Sequence, residues 1–461
     1  MRLYNTQSKR KEEFTTVKPG VASIYSCGPT VYYTAHIGNL RAYVCGDILK
    51  KTLRLNGYQI NDVMNITDVG HLVGDGDNGE DKVEKTAKQM GVSPLAIAKK
   101  YTDIFMRDIK RLNITPAKHI IPATQCVDAM IDLIKTLEQK GVTYRTKDGI
   151  YFDASTFPDY FQLSKGNLAG NIGGARVDLG EKRNVNDFAL WKFVGPNTLQ
   201  KWESPWGVGC PGWHIECSAI ALKYLPNPFD IHTGGVDHIP IHHTNEIAQS
   251  QTATGKPVCH FWFHNEFMTI DGGKMSKSLG NVYTLDDLIA KGYDPLHLRL
   301  LILQTTYRSV LNFTFTALDA AREQYQNIVA ALVKHRDANT PTDPAVLAAL
   351  WQEFKDALDN DLNTPVALAV LHKTLKQPYS RDIFKLVTEQ FDTVLSLDLA
   401  DAVNHQPAPA VIPDQVKDWA EQRLVAKQRK DWATADQLRG QIESAGYQVT
   451  DTPQGYQIKP R

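Results

Sequence analysis

Across 461 residues no apolar run reaches the roughly 18 residues that a membrane-spanning helix needs, which excludes an integral helical membrane protein. The N-terminal MRLYNTQSKRKEEF carries charge but has no apolar stretch behind it, so it does not read as a secretory leader. Cysteine is sparse. Cys27, Cys45, Cys126, Cys210, Cys217 and Cys259 are too thinly spread for a disulfide framework, so a reducing, cytoplasmic compartment is expected. Neither sign of charge is in excess: Lys plus Arg and Asp plus Glu number 51 each, so no global field draws the molecule onto nucleic acid, although a local basic track remains compatible with that balance. A GxGxxG fingerprint is also missing, which leaves dinucleotide binding without support.

What is present suits a multidomain protein. The length allows roughly three domains at about 150 residues each, and a 42% hydrophobic content can fill more than one core. Val21 to Cys27 reads as a buried strand. After the Gly28-Pro29 turn, Leu40, Val44, Ile48 and Leu53 recur at helical spacing between about Gly38 and Asn56, and a second strand follows Gly57 from about Tyr58 to Thr67. Strand, helix and strand in this order predict a right-handed βαβ unit, an α/β fold with a parallel sheet, and place Cys27 and Thr67 at the rim where such sheets hold small molecules.

Residues 119–204 break that rhythm with a helix-like Cys126 to Lys140, a β-like Gly149 to Asp153 and a glycine-rich Gly166 to Gly174. They read as an insertion that leaves the first domain discontinuous, 1–118 and 205–315. Strand signals return at Phe229 to Thr233 and Phe261 to Ile270, around a helix from about Pro240 to Thr254 that stops at Gly255. Residues 316–400 are expected to form a helical bundle, and 401–415, with Gln406-Pro407-Ala408-Pro409-Ala410, a semi-rigid linker. The last module, 416–461, has a charged helix and a tail that can pair as a hairpin around Pro453-Gln454-Gly455.

His242 and Glu246 stand four apart on the predicted helix, so they share one face at a spacing that lets two groups grip one ion. Taken alone, the pair is more simply a core histidine beside a solvated acid, and Cys27 or Cys217 a small buried apolar residue. A rival donor set exists in Cys210, His214 and Cys217, spaced C-x3-H-x2-C, with His232, His238 and His243 close behind. Spacing does not choose between them. Thiolate and imidazole donors would select zinc over magnesium or calcium in either case.

Ser26-Cys27-Gly28-Pro29-Thr30-Val31-Tyr32, His36-Ile37-Gly38-Asn39, Asn65-Ile66-Thr67-Asp68, Pro211 to Ser218 (PGWHIECS), His242-His243-Thr244-Asn245-Glu246 and Lys274-Met275-Ser276-Lys277-Ser278, in this order, closely resemble the cysteinyl-tRNA synthetase family. Shorter similar segments carry the likeness through almost the whole chain, among them Asp187 to Lys192, Tyr307-Arg308-Ser309, Asn363-Thr364-Pro365 and Asp431 to Asp436. The resemblance implies a Rossmann-type class I catalytic domain with an inserted connective domain, then an anticodon-binding helical bundle and a small C-terminal recognition module. It implies joining of L-cysteine to ATP, with Mg²⁺, and transfer of cysteine to tRNA(Cys).

The family's zinc ligands fall on Cys27, Cys217, His242 and Glu246, with one zinc per chain binding the substrate thiolate. Its substrate positions fall on Gly28, Thr67 and Trp213. His36 and Asn39 open a helix where phosphate charge is stabilised, Lys274 and Lys277 offset charge on the departing pyrophosphate, and Gly235 and Asp237 meet the nucleotide. Lys427, Arg429, Lys430 and Trp432 are candidates for RNA contact. A monomer with no membrane partner is expected.

The chain departs from the family pattern in the glycine- and acid-rich 69–81 segment and at Val236, His238, Pro240, Ile241 and Thr244, which leaves His238 and Cys210 as further donors near the metal. Two other readings are a ligase joining cysteine to a glucosaminyl-inositol, which would lack residues 316–461, and a non-catalytic tRNA-binding relative, which would be expected to lose His36, Lys277 or a zinc ligand.

Overall fold

The computed structural model describes residues 1–69, 81–164, 181–273, 280–405, 412–452 and 455–460. Its central feature is a parallel sheet of five strands, Val21–Ser26 (β1), Gln59–Ile66 (β2), His119–Pro122 (β3), Phe229–Gly235 (β4) and Cys259–Asn265 (β5), in the order β5-β4-β1-β2-β3. The strand order reverses between β1 and β4, so their carboxyl ends flank the crevice in which open α/β sheets bind ligands.

Helix Ile37–Leu55 (α1) connects β1 to β2 and buries Leu40, Val44, Ile48 and Leu53, the stripe expected from the sequence. It stops where Gly57 takes a positive φ of 85°. Two buried guanidinium groups tie this framework together. Arg41 on α1 donates to the carbonyls of Glu266, Phe267, Thr306 and Ser309, and Arg299 bonds Asp47 of α1 at 2.7 Å and the Leu112 and Leu395 carbonyls at 2.8 and 2.7 Å.

Some boundaries differ from the sequence expectation. β3 lies beyond residue 118 and pairs with β2 through His119 to Pro122, so the parallel sheet continues into the segment read as insertion. A four-residue edge strand closed by proline carries too little periodicity to be seen in advance. A separate antiparallel sheet, Thr143–Arg145, Gly149–Phe152, Phe188–Phe193 and Gly209–Pro211, ends seven residues after the expected boundary at 204. The run Phe261 to Ile270 is two strands instead of one, because the chain leaves β5 after Asn265 and Met268–Ile270 pairs with Leu311–Phe313. Gly166 to Gly174 falls outside the described residues.

Residues Met1–Leu399 form one compact unit, so helices Phe315–Arg336, Pro344–Asp359 and Thr364–Leu375 pack together with the sheet. The second unit, Ala400–Arg461, contains helices Asp414–Gln428 and Trp432–Ser444 and the hairpin Tyr447–Thr452 with Gly455–Pro460. Val416, Ala420, Ile442 and Val449 make its small core. Among the described residues no helix is long and apolar enough to cross a membrane.

Candidate functional site

Four separate elements meet beyond the carboxyl edge of the sheet. Cys27 follows β1, and its amide donates to Thr233 of β4 at 3.4 Å. Cys217 lies on helix Trp213–Tyr224 (α2), and His242 and Glu246 lie one turn apart on helix His242–Thr254 (α3). One donor atom from each of Cys27, Cys217, His242 and Glu246 falls within 4.8 Å of every other, with all but Cys27 buried. The structure thus brings the dispersed set together. Cys27, His232, His243 and Glu246 form an overlapping group by the same measure, whereas Cys210, on the Gly209–Pro211 strand, joins neither group among the described residues.

The geometry fits a cation. Glu246 Oε1 lies 3.1 Å from His242 Nε2 and 3.9 Å from His243 Nε2, yet it accepts no aligned hydrogen bond. Thiol, imidazole and carboxylate donors crowded this closely, with one buried carboxylate oxygen left without an aligned partner, suit a shared ion. Glu246 Oε2 accepts from His232 Nε2 at 2.9 Å, which orients the carboxylate. His242 Nδ1 is 2.9 Å from His214 Nδ1, and His243 connects Cys27 Sγ at 3.4 Å to His264 at 2.8 Å. His214, a rival ligand by spacing, therefore supports His242 from behind.

Charge in this pocket is tightly coupled. Burial pushes the Cys27 thiol up to about 11 and Cys217 well above its ordinary value. Burial also penalises the Glu246 carboxylate, but His232 and His242 outweigh it and hold that group well below the usual carboxylate range. His242 is raised to about 10, since Cys217 and Glu246 overcome its own desolvation. Burial and neighbouring imidazoles drive His243 and His264 well down and bring His238 to about 4.

The three residues expected to line the substrate pocket adjoin this centre. Trp213, at the start of α2, sets its ring 4.7 Å from that of His242. Gly28 follows Cys27, and a Cβ there would stand 1.6 Å from the Asn65 carbonyl oxygen, so no other residue fits. Thr67 follows β2 and is buried, with its hydroxyl bonded to Asn65 and Glu216.

The nucleotide-motif residues occupy a more open edge. His36 is the N-cap of α1: its Nδ1 accepts from the Asn39 amide at 3.1 Å, and Asn39 Oδ1 accepts from the His36 amide at 3.2 Å. Asn39 thus sits in the first turn and completes a reciprocal capping pair with His36. Gly235 ends β4, and a side chain there would collide with the exposed carboxylate of Asp237. Lys274 and Lys277 lie outside the described residues, as does most of the 69–81 segment.

Comparison with known proteins accords with this arrangement. The family model for the tRNA synthetases class I (C) catalytic domain matches residues 13–323, and that for the DALR domain matches 353–377. The Burkholderia lata protein named cysteine–tRNA ligase 1 is 44% identical over 460 residues, covering 99% of this chain and 96% of that one. The chain belongs to the cysteine–tRNA ligase family. The Treponema denticola cysteine–tRNA ligase is 40% identical over 481 residues, with 98% of each chain covered.

Solved class I structures share the fold. Mycobacterium tuberculosis methionyl-tRNA synthetase in complex with methionyl-adenylate superposes with a TM-score of 0.56 at 15% identity, over 82% of this chain and 88% of that one. The Agrobacterium radiobacter LeuRS–tRNA–LeuAMS complex gives 0.60 at 12% identity, over 86% of each. As a cysteine–tRNA ligase family member, the chain is a class I ligase-type enzyme.

Sequence reasoning assigned no role to Asn65, Glu216 or His264, although the first two stand inside the motifs. Their signal is a polar residue at a position the fold buries, which periodicity alone does not reveal.

Proposed function

We propose that the chain is a cysteine–tRNA ligase that activates L-cysteine with ATP, giving cysteinyl-adenylate and pyrophosphate, and transfers cysteine to tRNA(Cys). The observation that carries this reading is the convergence of Cys27, Cys217, His242 and Glu246, in a chain related over nearly its whole length to cysteine–tRNA ligases. These four residues would hold one zinc ion per chain. A bound zinc supplies a soft Lewis acid for a substrate sulfur in its thiolate form, which the harder and far less acidic hydroxyl of serine does not match.

Such chemistry is needed because a pocket working by shape separates close analogues by only about 10- to 200-fold. Trp213 closes that pocket over the small substrate, Gly28 keeps the floor open, and Thr67 supplies a polar contact. His36 and Asn39 hold the first turn of α1 so that its amide groups and their own side chains meet the α-phosphate. Gly235 allows close backbone approach to the nucleotide and Asp237 accepts from the ribose. Lys274 and Lys277 offset charge on the pyrophosphate, and Mg²⁺ accompanies ATP. The substrate carboxylate is itself the nucleophile, so the protein contributes position and charge, with no covalent or general-base residue assigned.

The helical 316–400 region and the 416–461 module are assigned to tRNA recognition. Trp432 is 58% exposed beside Arg429 and Lys430, a surface suited to stacking on a base, while Lys427 is held by Asp451 at 2.6 Å. The reading includes a cytoplasmic location and a monomer.

ATP–pyrophosphate exchange on zinc-quantified protein, with cysteine against serine, tests the proposal. Exchange dependent on cysteine at about one zinc per chain, followed by charging of tRNA(Cys), is the expected result. No exchange in a folded, zinc-loaded sample would overturn it.

A further inference from the structure

We infer that Glu216 is a positioning residue that makes Thr67 a hydrogen-bond acceptor for the α-ammonium group of the amino-acid substrate. The inference rests on the reading above that Thr67 lines the substrate pocket.

The argument begins with a donor that has no alternative. The Gly28 amide can only donate, so the Asn65 side chain must turn Oδ1 towards it, at 2.8 Å. That choice leaves Asn65 Nδ2 facing Thr67, to whose Oγ1 it donates at 3.0 Å. Thr67 in turn donates its only hydroxyl proton to Glu216 Oε1, 2.5 Å away. Asn65 Nδ2 also points at Glu216 Oε1, 3.4 Å away, so that oxygen faces two donors and the direction holds with or without a proton on Oε2.

A hydroxyl has one proton and two lone pairs. Here the proton is committed to Glu216 and one lone pair to Asn65, so what Thr67 retains for a ligand is a lone pair. The main chain keeps it in place, since the Thr67 amide donates to Pro29 at 3.0 Å and its carbonyl accepts from Val31 at 3.1 Å. Behind it, Glu216 is 1% exposed and its Oε2 has no hydrogen-bond partner among the described residues. An accepting wall backed by an unsatisfied, buried carboxyl oxygen suits an ammonium group and disfavours a carboxylate.

Placement on the helix strengthens the assignment. Glu216 directly precedes Cys217 on α2, so the element that delivers a sulfur donor to the metal set also fixes the polarity of the pocket wall. About one turn of helix, from Trp213 to Cys217, then governs both the thiol and the amine of the substrate.

The test measures dissociation constants by calorimetry, without ATP, on zinc-loaded full-length protein. The ligands are L-cysteine and 3-mercaptopropionate, which keeps the thiol and carboxylate but lacks the amine. Wild type should prefer cysteine. Glu216→Gln should reduce that preference by about 10-fold or more, with zinc content and 3-mercaptopropionate affinity unchanged, because the new amide can turn its NH2 to Thr67 and reverse the hydroxyl. In a Thr67→Val background the same substitution should add nothing further.

Equal weakening of both ligands, or an unchanged preference in folded and zinc-loaded Glu216→Gln protein, would overturn the inference by assigning Glu216 a structural role or none. If that variant does not fold, Thr67→Val alone decides, and an unchanged preference there is equally fatal. Wild type that binds no cysteine would instead remove the functional reading on which the inference stands.

Discussion

The floor and the rim of the site are built in opposite ways. The floor gathers Cys27, Cys217, His242 and Glu246 from three distant stretches of chain, and every member except Cys27 is buried. The rim at His36 and Asn39 is a local device, a reciprocal pair of backbone and side-chain bonds at the start of α1, with Asn39 exposed. Assembly by the whole fold makes the floor's chemistry inseparable from its neighbours, whereas the residues of the rim bond one another within a single helix end.

That contrast is most easily broken by Cys217→Ser. Removing one of four ligands should lower zinc affinity by roughly 10²–10³-fold and abolish cysteine-dependent exchange with it, as read by metal analysis and pyrophosphate exchange. Full zinc and activity would show that the floor does not act as a unit. His36→Ala should uncouple the two regions, slowing exchange by about 10²–10³-fold while zinc content stays at the wild-type value. The lost cap should cost about 1 kcal/mol in denaturant titration, so a larger loss would place His36 in the scaffold rather than at the rim.

His232→Ala sharpens the account of the floor. His232 touches Glu246 Oε2 without belonging to the four-ligand set, so zinc affinity should fall by about 10- to 100-fold while the metal still binds. The smallest effect concerns the support beneath the rim. Burial acts against ionisation of Asp47, but Arg299 and Lys51 outweigh it and lower its carboxyl below the ordinary value. A depressed acid stabilises the folded state above its unfolded pKa, and that contribution fades as pH falls through the folded value. As pH falls below about 4 wild type should therefore lose more thermal stability than Asp47→Asn, with Tm followed by circular dichroism.

Legibility in the sequence followed the same division. The stripe Leu40, Val44, Ile48 and Leu53 announced α1, because helical period and burial are local properties, and His242 with Glu246 announced a shared helix face. The choice between the dispersed donors and the Cys210–His214–Cys217 run was not legible from spacing. It depends on which strand end faces which helix. β3 escaped notice because four residues show no period, and the Asn65–Thr67–Glu216 chain because its meaning is the direction of hydrogen bonds between β2 and α2. His264 was likewise hidden in an apolar strand, where only the fold brings it to His243.

Zinc K-edge X-ray absorption on the zinc-loaded protein, alone and with cysteine or serine, tests the central claim most directly. The account predicts two sulfur ligands from Cys27 and Cys217, a third on adding cysteine, and no change with serine. A sulfur count that does not rise with cysteine would contradict it.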